Sequence, residues 1–326
     1  FGKAPVGTGP FKFVEWVKDD HATVEANPNY WVGSFKGKPL VKTVIFRPIP
    51  EASTRIAELK TGRVHLIQDL PTDQVKDVEA AGFKAAALDT GSHFDIWLVA
   101  DAGGPLADKR VRQALNYGVN VEGIVAALLQ GRGQRIASPF AAGVMGYDST
   151  LKPYPYDLNK AKSLLAEAGL ASGFDIMLDA CTCDRLDLTQ AVVGELAKMG
   201  VKATIRSFEI SIFNDNWIKH TTSGLIAARL GGSGDPSTLL NFWVKTKGLL
   251  TRYSNADVDK LIDQGAGTLD VNKRIETYKQ LGKVLNDDPP AIYLWSSIYL
   301  YGVSPKLDGW KPHTSNQIIV ANVTVK

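Results

Sequence analysis

Apolar and polar residues alternate from Phe11 to Val17, the period of two that marks a half-buried strand. Residues 21–26 read as a second short strand, closed by the turn signal Asn27-Pro28-Asn29, and the β-branched stretch 41–48 as a third. A helix follows Pro50, with Ile56 and Leu59 on its apolar face and Gly62 ending it; residues 64–70 form a strand, and Thr72 caps a helix over 73–81. The character changes near residue 94. Residues 94–100 are an almost continuous apolar strand, and helices start at Asp108, Asn120 and Asp157, the last with Leu158, Ala161, Leu164, Leu165 and Ala168 on one face. Strand 174–178, helix 186–199 and strand 201–208 form a strand–helix–strand unit, which implies parallel pairing and an α/β layer architecture. Helices over 256–266 and 271–285 and strands near 291–294, 298–303 and 318–325 complete the pattern. The two regions are joined by strands and not by a Gly/Ser tether, an arrangement suited to hinge closure.

At 326 residues the chain is long for one domain and comfortable for two, and 44% apolar residues supply a real core. A net charge of +3 with both signs interspersed does not suggest a nucleic-acid partner. No apolar run reaches the ~18 residues that cross a bilayer. Cys181 and Cys183 are the two cysteines. They are too close in sequence for an ordinary disulfide, because strand side chains at i and i+2 do not reach each other in disulfide geometry, so buried or idle thiols are expected ahead of a metal site. The opening Phe1-Gly2-Lys3-Ala4-Pro5 has neither a basic nor an apolar leader segment, and a turn leads straight into a strand, as in a chain that begins mid-domain. No nucleophile elbow, metal-ligand spacing or phosphate loop points to an enzyme or a cofactor. The aromatics Trp16, Tyr30, Trp31, Trp295 and Trp310 are expected in the core.

Several motifs occur in one order along nearly the whole chain. They are Pro5-Val6-Gly7-Thr8-Gly9-Pro10-Phe11, Asn27-Pro28-Asn29-Tyr30-Trp31, Phe46-Arg47-Pro48 through Thr61-Gly62, Pro105-Leu106-Ala107-Asp108-Lys109-Arg110-Val111-Arg112-Gln113-Ala114-Leu115, Tyr154-Pro155-Tyr156-Asp157 and Gly234-Asp235-Pro236. This series resembles the central and later part of solute-binding family 5, the dipeptide-, oligopeptide- and nickel-binding proteins of ABC importers. The resemblance implies an α/β, periplasmic-binding-protein-like two-lobe fold (class II, cluster C), without the first part of lobe I and the family's extra domain. The later part of lobe I is expected over 1–93, the second α/β lobe over 94–297, and strands returning to lobe I over 298–326. It also implies a periplasmic or otherwise extracytoplasmic location, a peptide or similar small solute held between lobes, and a membrane ABC permease as partner. Lacking its opening strands, the chain is expected to self-associate or to bind a complementary N-terminal fragment. Two alternatives stand beside this reading: a fragment with an interaction role, and a binder of a metal chelate or anionic metabolite.

The resemblance assigns site residues too. Asp235 matches the aspartate that holds a ligand ammonium group, with Ser233 and Gly234 in the loop before it; alternatively, Asp235 caps the helix that follows. Arg185 lies where dipeptide-binding members place an arginine for the ligand carboxylate, a pairing in which the planar guanidinium grips both oxygens; its other reading is a surface arginine beside Asp184 and Asp187. Arg229 stands where many members carry an aromatic wall, and either favours an anionic ligand or pairs with a carboxylate at the strand end. His93 and Phe94 fall at the expected lobe crossover, and Trp243 follows the Asp-Pro segment closely enough to be a cleft candidate.

Overall fold

The computed structural model describes residues 5–31, 33, 38–222, 224–230, 235–313 and 317–326, apart from the side chains of Thr90 and Ser297. The expected loop positions Ser233 and Gly234 lie outside the described residues. The chain forms two compact units, residues 1–88 with 298–326 and residues 89–297.

The first unit opens with β1 (Phe11–Val17), β2 (His21–Ala26) and β3 (Thr43–Phe46), an antiparallel sheet in the order β1-β2-β3. Then come α1 (Ala52–Lys60), β4 (Leu66–Ile67) and α2 (Val75–Ala80). Ile56, Leu59, Ile67, Leu70, Val75 and Val78 pack together as its core. Trp16, Ala22 and Phe46 form one cross-strand row of the three-stranded sheet, and Phe13, Val24 and Val44 the next row on the same face. This face is open at its Trp16 and Phe46 end, 59% and 41% exposed, while Phe13, Ala22, Val24 and Val44 are half-buried. Trp16 and Trp31 are therefore surface residues, contrary to expectation, whereas Tyr30, Trp295 and Trp310 are buried. Beside Phe11, Val24 and Phe46 lies an open cavity of about 600 Å³, walled on its other side by residues 317–321.

The second unit starts within β5 (Lys84–Leu98) and holds α3 (Lys109–Gly118), α4 (Val121–Leu129), β6 (Gly133–Arg135), α5 (Leu158–Glu167), β7 (Phe174–Cys181), α6 (Leu186–Lys198), β8 (Val201–Phe208), α7 (Ile210–Ile218), β9 (Leu225–Leu230), α8 (Ser237–Trp243), α9 (Ala256–Gly267) and α10 (Val271–Asp287). It ends within β10 (Ala291–Val303). β11 (Leu307–Asp308) and β12 (Thr324–Val325) then pair in the first unit. The strand order in the second unit is β10-β5-β9-β7-β8, with β6 on β10. β7 is parallel to β8 and to β9, as the strand–helix–strand pattern implies.

Side-chain alternation splits this sheet between two cores. Phe94, Ile96 and Leu98 of β5, Leu225 and Ala227 of β9 and Leu178 and Ala180 of β7 face the layer of α3 to α6. Trp97 of β5, Ile226 and Ala228 of β9 and Tyr293 of β10 face residues of α7 to α10. Helices cover both faces, so the strands are apolar on both sides. Asp108, Asn120 and Asp157 cap α3, α4 and α5 by accepting from Arg110 N, Gly123 N and Lys160 N at 2.8, 2.9 and 2.8 Å.

Pattern reading falls short at six elements. β5 begins ten residues before 94, and β10 is one strand where two were expected. Polar residues that look like breaks are paired in place: Ser92 Oγ donates to Leu230 O (2.5 Å) and Ser296 Oγ to Asp89 (2.8 Å). The strand expected over 64–70 shortens to β4, and that over 318–325 shortens to β12. Neither α7 nor β6 was anticipated. Glu209 starts α7 by accepting from Ser211 N at 2.9 Å.

One charged network is buried among the α layers. Arg112, 5% exposed, donates to Leu106 O, Ala107 O and Pro289 O at 2.8, 2.9 and 3.1 Å and pairs with Asp288. Asp288 also accepts from Tyr253 Oη and Asn255 Nδ2, both at 2.8 Å. Burial pushes its pKa up, but the hydrogen bonds from Tyr253 and Asn255 and the Arg112 charge outweigh burial and hold it below the ordinary carboxylate value.

Leu178→Ala, in the middle of the sheet at 0% exposure, is expected to lower unfolding free energy by about 2–5 kcal/mol in urea titration. Asp288→Asn is expected to cost about 3–5 kcal/mol at neutral pH by leaving Arg112 buried without its anion. Because the folded pKa of Asp288 is below the unfolded value of about 3.9, its contribution is complete above that value and lost as pH falls through the folded one. Acid titration of the wild type should show this loss, and Asp288→Asn should lack it.

Candidate functional site

β7 and β9 are parallel, with Leu178 opposite Leu225, so their C-terminal ends lie at one edge of the sheet. In open α/β sheets that edge is where loops gather chemistry. The loop after β7 runs from Cys181 to Arg185, and Arg185 is the residue before α6. β9 ends at Leu230, and Asp235 follows shortly before α8. β5 passes the same edge, with His93 opposite Leu230 and Phe94 opposite Arg229.

The loop after β7 is cross-linked. Cys181 and Cys183 form a disulfide with their Cα atoms 5.1 Å apart, which overturns the expectation of unpaired thiols. That expectation rested on a continuing strand, in which i and i+2 stand about 6.6 Å apart. Instead the strand stops at Cys181 and the chain turns, with Asp184 N donating to Cys181 O at 3.2 Å, so the two cysteines come within bonding reach.

Asp184, inside this turn, faces Arg229 at 3.6 Å. Burial pushes its carboxyl pKa up, and the Arg229 charge opposes that only in part. Arg185 leans on Asp187 through Nε (3.1 Å) and Nη2, and reaches Leu128 O at 3.4 Å. Both arginines therefore show the surface pairings that were the alternative readings for them, and both remain partly exposed at the strand-end edge.

Asp235 accepts from Ser237 N (3.0 Å) and Ser237 Oγ (2.6 Å) on Oδ1, so it supports the first turn of α8. Arg274 of α10 grips the same carboxylate from two nitrogens, Nη1 to Oδ2 at 2.9 Å and Nη2 to Oδ1 at 3.1 Å. Partial burial raises the pKa of Asp235, but Ser237 and Arg274 together hold it below the ordinary value.

The remaining candidates are inside the protein. His93 is buried, its Nδ1 bonded to Asp95 at 2.5 Å, while Nε2 is buried without a hydrogen-bond partner. Phe94 is buried and stacked on Trp295 with ring centres 5.5 Å apart. Trp243 packs against Trp97 at 5.5 Å and edge-on to Trp217 at 4.5 Å. The edge thus sets Arg229 against Asp184 and the adjacent Arg185 against Asp187, and sets Asp235 with Ser237, Arg274 and Tyr278, whose hydroxyl is 3.3 Å from Ser237 Oγ. Sequence reasoning does not find Arg274 in this group. It stands 39 residues from Asp235, and its spacing of four from Tyr278 is the one local hint that both share a helix face.

The model of the bacterial extracellular solute-binding proteins, family 5, middle region, matches residues 1–249. The chain is 28% identical over 325 residues to heme-binding protein A of Haemophilus influenzae, covering 94% of this chain and 57% of that protein. It is 30% identical over 322 residues to the dipeptide-binding protein of Escherichia coli, covering 94% of this chain and 58% of that protein. The periplasmic binding protein DppA of Helicobacter pylori, solved with the peptide STSA, superposes with a TM-score of 0.83 at 25% identity, over 99% of this chain and 64% of that one. The chain spans little more than half the length of these two curated relatives. With the α/β fold and the matched motifs, these likenesses show that the chain belongs to the bacterial extracellular solute-binding proteins of family 5.

Proposed function

We propose that this chain serves in the extracytoplasmic solute-binding component of an ABC importer, capturing a peptide or similar small solute and presenting it to a membrane permease. It is read as a binding protein and not as an enzyme. The observation that carries the reading is the placement of Arg185, Arg229 and Asp235 on loops and strand ends at the carboxyl edge of β7 and β9. Charged groups on a rigid sheet edge suit recognition of a small polar solute. The relatives named for dipeptide and heme binding, and the neighbour solved with a peptide, support the solute class in outline. Arg229 favours a solute that carries a carboxylate, since its guanidinium can exchange a long contact with Asp184 for a bidentate partner, while Arg185, already bidentate on Asp187, adds positive charge beside it. His93 and Phe94, which are buried, and Trp243, which is half-buried against Trp97 and Trp217, contribute by holding the frame.

Native mass spectrometry of the protein as purified from its source, without refolding, tests this. The expected result is a small-molecule adduct released on denaturation. A bare chain of 35.3 kDa that also shows no thermal stabilisation by a panel of di- and tripeptides, organic carboxylates and metal chelates would sink the reading.

The open apolar face of β1–β3 supports a further property of the chain on its own, self-association through that face. Sedimentation at micromolar concentration is expected to show a dimer or larger species, and Trp16→Lys with Phe46→Lys to return it to monomer. A wild-type monomer, or capture of a complementary chain in place of a second copy, would count against it.

A further inference from the structure

The bond between Cys181 and Cys183 joins residues two apart in sequence. A cross-link stabilises a fold mainly by restricting the unfolded chain, and the effect shrinks with the length of chain it closes, so this one is poorly placed as a staple. Its position says more. It spans the turn between β7 and α6, and its two ends differ in access. Cys181 is 1% exposed and packs in the core on the α7 to α10 side of the sheet, whereas Cys183 is exposed. A thiolate arriving from solvent therefore meets Cys183. Attack there expels Cys181, and Cys183 N already donates to Cys181 Sγ at 3.1 Å, where it stabilises negative charge on the departing sulfur.

The same turn carries Asp184. Its N–H donates to Cys181 O at 3.2 Å, and Thr182 N donates to Phe208 O, at the end of β8, at 2.8 Å. The Asp184 carboxyl meets Arg229 at 3.6 Å, longer than a hydrogen bond, so the ion pair does little to hold the turn. Asp184 is kept in front of Arg229 by the backbone of the turn and by the link across it.

We propose that the Cys181–Cys183 disulfide is a redox-sensitive clasp at this sheet edge: a small dithiol opens it in the folded protein, and opening releases Asp184 and leaves the Arg229 guanidinium open to an anion. The chemistry is two successive exchanges. One thiolate of the dithiol attacks Cys183 Sγ, the S–S bond breaks, and Cys181 leaves as a thiolate that takes a proton. The second thiolate of the dithiol then attacks its own sulfur in the mixed disulfide. Cys183 leaves as a thiolate and takes the second proton, and the dithiol ends as its cyclic disulfide. The clasp needs no solute, so it stands or falls separately from the solute-binding reading.

The test uses the 326-residue chain purified under air, with and without dithiothreitol. After acid quench and removal of the reductant, alkylation in denaturant is read by mass spectrometry; Cys181 and Cys183 are the only cysteines, so the count is unambiguous. The untreated protein is expected to take no alkyl group and the treated one two, while circular dichroism and melting remain those of a folded protein. In hydrogen–deuterium exchange, residues 182–187 of the reduced protein are expected to exchange about tenfold faster than in the oxidised one, with β7 and β8 unchanged. Phenylglyoxal, which modifies arginine, is expected to label Arg229 several times faster after reduction. Cys183→Ser is expected to show both changes without reductant, with Cys183→Ala replacing it if it does not fold. Free thiols in the untreated protein, a bond that dithiothreitol opens only in denaturant, or loss of the folded state on reduction would overturn the proposal. So would a reduced protein in which the exchange of the turn or the labelling of Arg229 stays at the oxidised level.

Discussion

Strands β5 and β10 carry polar side chains through a sheet that helices cover on both faces, and the rest of the second unit depends on those groups being satisfied where they lie. A buried donor or acceptor left alone costs about 1–3 kcal/mol, enough for a few of them to offset a core. Here several polar positions on the strands have an answer, although His93 Nε2 and Trp97 Nε1 do not. Ser296 donates to Asp89, Ser92 to a carbonyl of β9, and His93 pairs with Asp95. Asn116 of α3 reaches the sheet and behaves as one more peptide group, donating to Ala291 O at 2.9 Å and accepting from Tyr293 N at 3.0 Å. With these links the two strands run unbroken from one unit into the other.

A frame held this way explains where chemistry can sit. The strand interiors are committed to two apolar layers, so charged groups able to meet a solute are left to strand ends and the loops beyond them. The loop after β7 is short, cross-linked between Cys181 and Cys183, and carries Asp184 and Arg185 into α6. Arg229 lies on the face of β9 opposite to Ile226 and Ala228, and takes its aspartate from that loop. Position in the layers thus decides role. His93 and Phe94 lie level with Leu230 and Arg229, but their side chains are buried in the layers and become packing groups.

Much of this was legible in the chain. Helix caps at Asp108, Asn120 and Asp157 and the parallel unit of β7, α6 and β8 follow from local rules, because caps and hydrophobic period are properties of a few neighbouring residues. The family motifs extended that reading to the fold. What stayed hidden was set at long range. The length of β5 depends on Asp89 and Ser92 meeting Ser296 and Leu230, partners more than a hundred residues away. The disulfide depended on the chain turning at Cys181. Trp16 was assigned to a core by its type alone, whereas its row with Ala22 and Phe46 lies open in the first unit. The site shows the same limit: Asp235 was visible from its Gly-Asp-Pro setting, but Arg274, which pairs with it through two nitrogens, was not.

Partner exchange follows as the physical basis for binding at such an edge. Asp235, Asp187 and Asp184 each face an arginine, so the edge is close to neutral and its charges are already partly satisfied. A solute gains little by adding one more ion to a compensated pair, since exposed pairs contribute only about 0–1 kcal/mol. It gains where a pair is poorly made. Arg274 with Asp235 is bidentate and anchored by Gly265 and Tyr278. Arg229 with Asp184 is long, and burial disfavours the charge on Asp184. A carboxylate that took over Arg229 would replace a weak contact with a bidentate one, whereas Arg274 would give up a bidentate partner. The two pairs differ more in how well they are made than in charge, so a partner is exchanged at least cost at Arg229 and at most cost at Arg274.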